Sequence, residues 1–71
     1  MITPKFHILE KVYHYDDELE KEIEFDISRI CILNKGSKRL PFVVVLYNLI
    51  SEKEECLANY YEEELYIKED K

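Results

Sequence analysis

With 71 residues and a net charge of −6, the chain has room for a single domain near the lower limit of independent folding, where only about 60% of the unfolded surface becomes buried. A core that small has little stability in reserve for a deep, strained catalytic cleft. Hydrophobic residues reach 46%, with six Tyr and three Phe, which excludes intrinsic disorder despite 37% charged residues.

The longest apolar run, Phe42 to Tyr47 with Leu49 and Ile50 beyond it, falls far short of the roughly 20 residues that cross a bilayer. The opening Met1-Ile2-Thr3-Pro4-Lys5 lacks the charged-then-apolar pattern of a signal peptide. Cys31 and Cys56 lie in apolar surroundings without CxxC spacing, so both are expected to be buried free thiols and the location to be cytoplasmic.

In chain order, Phe6 and Ile8 alternate with Lys5 and His7, and the stretch from Lys5 to Tyr15 reads as a strand. Asp16 to Lys21 is a polar turn. The clearest alternation follows, with Ile23, Phe25 and Ile27 apolar and Glu22, Glu24, Asp26 and Ser28 polar. Such a segment is a half-buried strand with an acidic outer face. After Arg29 the pattern slips to Ile30-Cys31-Ile32-Leu33, apolar throughout, which predicts a β-bulge or a segment covered on both faces.

Asn34 to Arg39 is the strongest turn signal, and Gly36, the only glycine, suits a positive φ there. Pro41 stands where a strand starts, and Phe42 to Tyr47 is dense in β-branched and aromatic residues. Residues 22–33 and 42–50 therefore read as an antiparallel pair joined by a basic tip. Two apolar rows result: Phe42, Val44, Leu46 and Ile50 on one face, and Val43, Val45, Tyr47 and Leu49 on the other.

The last third has two readings. Ser51-Glu52-Lys53-Glu54 matches a capping box, and Leu57, Tyr61 and Leu65 fall on one helical face, giving a helix over about 52–66. Alternatively, Ser51 to Glu55 is a loop, Leu57 to Tyr61 a strand, Glu62 to Glu64 a turn, and Leu65 to Ile67 a short last strand.

Lys11-Val12-Tyr13, and Tyr60-Tyr61-Glu62-Glu63-Glu64-Leu65 near the C-terminus, carry a resemblance over about residues 5–68. The chain resembles small SH3-like barrel proteins encoded by phages, prophages and mobile elements of Gram-positive bacteria. It departs from them at Leu9-Glu10, where a Gly-Asp turn is common, and near Phe25 to Ile27, where a glycine is often found. The resemblance implies a fold and a genetic setting, not an activity. The expected fold is mainly β, a small SH3-like antiparallel barrel of about five strands in a single domain over 1–71. The alternative is α+β, an antiparallel sheet with one C-terminal helix.

Charge is unevenly placed. Residues 16–26 hold seven acids against Lys21, and residues 51–71 hold eight against Lys53, Lys68 and Lys71. Between them, residues 27–50 hold no acid, only Arg29, Lys35, Lys38 and Arg39. An acidic surface repels phosphate and favours basic proteins, so direct nucleic-acid binding is not expected. The candidate protein-binding residues are Asp16, Asp17, Glu18, Glu22, Glu24, Asp26, Glu62, Glu63 and Glu64.

One apolar row of the 42–50 strand needs a cover that a single-layer barrel does not supply. That predicts a homo-oligomer with Val43, Val45, Tyr47 and Leu49 at its interface. His7, His14, Cys31 and Cys56 have no metal-site spacing, consecutive Glu62, Glu63 and Glu64 do not converge on one point, and no phosphate loop or nucleophile motif is present. No catalytic, cofactor-binding or metal residues are assigned, and no membrane partner is expected. The functional expectation is a non-enzymatic protein-interaction module of mobile-element type. Its acidic surface would block a host nucleic-acid-binding protein, as a DNA mimic does in anti-defence or host takeover. The alternative is a self-associating phage or prophage accessory domain.

Overall fold

The computed structural model describes residues 3–68. Met1 and Ile2, which open the N-terminal reading, and the charged Glu69, Asp70 and Lys71 lie outside the described residues. Strands β1 (Lys11–Asp16), β2 (Lys21–Asn34), β3 (Val43–Ser51) and β4 (Cys56–Tyr61) form one antiparallel sheet in chain order. A single 3₁₀ turn, Glu62–Glu64, follows β4. Among the described residues four strands stand where about five were expected. Beyond the 3₁₀ turn, Tyr66 forms only an isolated bridge to Tyr13 of β1, and the two residues exchange backbone hydrogen bonds of 2.8 and 3.0 Å.

The alternation in β2 positions the core. Ile23, Phe25 and Ile27 are buried with Phe6, Val12, Val45, Tyr47, Leu49 and Leu65, while Ile30, Ala58 and Tyr60 pack against that cluster. The expected bulge lies at Ser28. Ile27 pairs with Leu49 and Arg29 with Asn48, which leaves Ser28 as the extra residue, its hydroxyl donating to the Asn48 carbonyl at 3.0 Å. The insertion reverses which residues face the core, so Ile30 pairs with Tyr47 and Ile32 with Val45.

Both short hairpin loops share one local design. Asp16 accepts from the Glu18 and Leu19 amides at 2.9 and 3.0 Å, and Ser51 accepts from the Glu54 amide at 3.3 Å. Each loop closes on a glutamate in the left-handed region, Glu20 at φ 51° and Glu55 at φ 53°. Of the two readings of the last third, the strand and the turn at Glu62 to Glu64 are found, and the alternative helix over about 52–66 is not. The Ser51–Glu54 bond that would cap it closes a turn instead, and Cys56–Tyr61 pairs along β3 from Leu46 to Ser51. Edge pairing satisfies the backbone and seats Ala58 and Tyr60 on the core, whereas a helical stripe would have buried Leu57, which is exposed.

Three smaller expectations are corrected. Residues 5–10 are bends and a turn rather than strand, because the Glu10 amide donates to the His7 carbonyl at 3.0 Å and folds the chain back. Gly36 has no positive φ. What requires glycine is close approach, since a Cβ there would lie 2.2 Å from the Leu40 carbonyl oxygen. Finally, Cys31 is half-buried on the outer side of β2, opposite Leu46, and Cys56 is exposed at the start of the edge strand β4.

Candidate interaction surface

The carboxylates of β2 share its outer face, as the alternation requires, but each is met by a cation. Glu22 pairs with Lys68 and accepts from the Tyr66 hydroxyl. Glu24 lies 3.4 Å from Lys53 and 3.8 Å from Lys11, and accepts from the Tyr13 hydroxyl at 3.2 Å. Asp26 lies 3.1 Å from Lys11. The lysines come from β1, the β3–β4 turn and the C-terminal segment, all brought over β2 by the fold.

The Lys68 ammonium and then the Tyr66 hydroxyl hold the Glu22 carboxyl below the ordinary glutamate range. At Glu24, partial desolvation pushes upward, but Lys53, Tyr13 and Lys11 together outweigh it and the net displacement is downward. This face is a mixed-charge lattice rather than an acidic one.

The other candidate acids are dispersed. Asp16 is engaged in its own turn. Glu62 accepts from the Tyr47 hydroxyl at 2.7 Å and from the Lys5 amide at 2.9 Å, which makes it part of the scaffold. Glu64 accepts from the Tyr61 amide at 2.9 Å, and Glu63 is exposed. Asp17 and Glu18 stand exposed on the β1–β2 turn with Glu20. Glu52 and Glu55 are exposed on the neighbouring β3–β4 turn, tied to it by a Lys21–Glu54 ion pair of 2.5 Å. The nine candidate acids therefore do not form one face.

The expected oligomer row is also corrected. Val45, Tyr47 and Leu49 are buried within the chain itself, and Val43, half-buried, lies on the same inward side. The inward side is set by the bulge and by the Tyr47 hydroxyl, which reaches the Phe6 amide across the core at 3.2 Å. The row left outside is Phe42, Val44, Leu46 and Ile50.

That outer row continues onto an arm. β1 pairs with β2 only as far as Lys11–Asp26, and β4 pairs with β3 only from Leu46 onward. Beyond those limits, residues 29–34 of β2 and 43–45 of β3 run as a two-stranded hairpin, which contributes to the 42 × 27 × 21 Å outline. Its tip is closed by a turn in which the Ser37 amide donates to the Leu40 carbonyl at 3.1 Å. Leu40 is 78% exposed, Phe42 60% and Ile32 53%, with Lys35, Lys38 and Arg39 among them. At the arm's base, the His7–Glu10 turn presents Ile8 and Leu9, exposed by 50% and 80%. Sequence alone does not mark this second patch, because the alternation of Phe6 and Ile8 suggests a strand that would turn both inward, whereas the turn leaves Ile8 exposed.

The His14 ring, on β1, stacks on Tyr60 at 3.8 Å and contacts the Glu64 carbonyl oxygen through Nδ1 at 3.0 Å, so it packs across the sheet. A shallow depression of about 450 Å³ lies over the bulge, bordered by Ser28, Asn48 and Asn59, with no titratable partner for the serine hydroxyl. Among the described residues, no three His, Cys, Asp or Glu side chains gather as metal ligands would, and no helix is long and apolar enough to cross a membrane. No protein-family model, curated protein or solved structure matches the chain.

Proposed function

We propose that this chain is a non-enzymatic protein-interaction module, built as a small SH3-like barrel, that docks through the β2–β3 arm. The Tyr13–Tyr66 bridge supports the barrel, since it joins the first strand to the segment after the 3₁₀ turn, where a fifth strand would close the sheet. One observation carries the docking role: a hairpin apolar on both faces, with Ile32, Leu40 and Phe42 mostly exposed. Contiguous uncovered apolar surface on a small domain marks an interaction site. The resemblance adds a phage or prophage setting in the cytoplasm, with the chain as an accessory or structural domain.

Gel filtration with light scattering over a concentration series, beside capture on the immobilised chain, tests this reading. Arm-dependent association should persist at high salt and disappear in the double variant Leu40→Ser/Phe42→Ser. A chain that is monomeric at every concentration and captures nothing through the arm would overturn it.

A second reading retains the acidic surface as a block on a basic, nucleic-acid-handling host protein. It is favoured by Asp17, Glu18, Glu20, Glu52 and Glu55, exposed together at the end opposite the basic tip. Capture would then be lost at high salt and in Asp17→Asn/Glu18→Gln/Glu20→Gln, but not in Glu22→Gln. Salt-insensitive capture would remove this reading.

A further inference from the structure

Resting on the arm as the docking element, we infer that its occupant is a second copy of this chain, joined by antiparallel pairing of the two β2 edges about a two-fold axis at Cys31. Backbone direction supplies the first argument. The Ile27 amide donates to the Glu10 carbonyl at 3.1 Å and the Ile27 carbonyl accepts from the Leu9 amide at 2.8 Å, so the β1 side of β2 is occupied as far as Ile27. Past the bulge, the Lys35 amide turns the other way, donating to the Phe42 carbonyl at 2.7 Å. Alternation along an antiparallel strand then aims the backbone groups of Ile30, Ile32 and Asn34 away from β3. Among the described residues no strand lies on that side, which leaves an apolar edge open to strand addition.

Register supplies the second. A two-fold axis normal to the sheet keeps each side chain on its own face, so the pairing centres on a residue rather than between two. Centred on Cys31, it sets Ile30 opposite the partner's Ile32, Arg29 opposite the partner's Leu33 and Ser28 opposite the partner's Asn34. The basic tip of each arm then arrives beside Ile27 of the partner subunit, where the His7–Glu10 turn stands.

Complementarity is the third. At that junction Leu40 and Phe42 of one copy meet the partner's Ile8 and the partner's Leu9, and Lys35 and Lys38 approach the partner's Glu10. A parallel arrangement would bring the two basic tips together, and like charge disfavours it. Leu9 holds a φ of 68°, a region costly for a branched apolar residue, yet it points a mostly exposed side chain at this place. Strain that presents an apolar group to solvent is accounted for when a second copy covers it.

Cross-linking tests the geometry. In a Cys56→Ser background, a short bismaleimide should link two chains through Cys31, and the product should vanish in Cys31→Ser/Cys56→Ser. Ile32→Pro removes an outward amide while sparing the β2–β3 ladder, and should abolish the link with the circular dichroism unchanged. Leu9→Asn separates association from folding: asparagine suits the positive φ, so thermal stability of the monomer should rise while dimer affinity falls about tenfold or more. Dimers that form through the arm but do not cross-link at Cys31 would overturn the edge pairing and leave the docking reading standing. A monomer that captures some other protein through the arm would overturn the second copy as occupant. Monomers without arm-dependent capture would overturn both.

Discussion

The Tyr47 hydroxyl donates to a Glu62 carboxylate oxygen at 2.7 Å and accepts from the Phe6 amide at 3.2 Å, so one phenol on β3 ties the N-terminal segment to the 3₁₀ turn. Burial first, and then the Glu62 hydrogen bond, push its pKa up to about 12. Removing the hydroxyl in Tyr47→Phe leaves a buried amide and a carboxylate without their partner, which costs about 1–3 kcal/mol. Urea unfolding should show that loss, with a smaller one for Glu62→Gln, whose side-chain oxygen still accepts.

Stability should fall at high pH. Tyr66, through its hydrogen bond to Glu22 and then partial burial, is also pushed up to about 12. A group whose folded pKa is raised contributes stability that is fully present below its unfolded value, 10.0 for these tyrosines, and is lost as pH climbs through the folded one. The melting temperature should hold below pH 10.0 and drop between there and about 12, the drop becoming shallower in Tyr66→Phe.

Acid acts through β2 with the opposite sign. Glu22 and Glu24 are held below the ordinary 4.5, so their contribution is present above that value and lost as pH falls through the lowered pKa values. Lys68→Met should return the Glu22 titration toward 4.5, as followed by carboxyl NMR, and added salt should narrow the difference from wild type.

Two neighbours on β3 should respond very unequally to the same truncation. Leu49 is buried, whereas Ile50 is 41% exposed on the opposite face. Leu49→Ala should cost about 2–5 kcal/mol, a large share of the stability of so small a domain, whereas Ile50→Ala should stay within about 0.5 kcal/mol. Equal effects would contradict the inward assignment of the Val45–Tyr47–Leu49 row.

The hairpin turns carry removable strain. Glu55 sits at φ 53°, where a side chain costs roughly 1–2 kcal/mol. Glu55→Gly should raise stability by about 0.5–1 kcal/mol, part of the relief being offset by glycine's greater freedom when unfolded. That corresponds to roughly 2–8 °C in melting temperature for a domain this size.

Local pattern alone specified β2, β3, the polar turns at Asp16 to Lys21 and Asn34 to Arg39, and an irregularity after Arg29, which the structure sets as a bulge at Ser28. Each depends on period-two alternation or on turn chemistry, which act over a few residues. Three other matters depended on contacts far apart in sequence. By local rules Ser51 to Leu65 leaned toward a helix, and pairing along β3 makes Cys56–Tyr61 a strand instead. Local pattern points to the wrong inward row of β3, leaving Val43, Val45, Tyr47 and Leu49 outside, because both rows are apolar and only the tertiary register, set at Ser28 against Phe6 and Leu65, turns that row into the core. Glu22, Glu24 and Asp26 read as one acidic face because the sequence places Lys11, Lys53 and Lys68 tens of residues away from most of them. Charge along a chain adds up residue by residue, but the field at a surface depends on which side chains the fold brings within a few ångströms, and here it brought lysines.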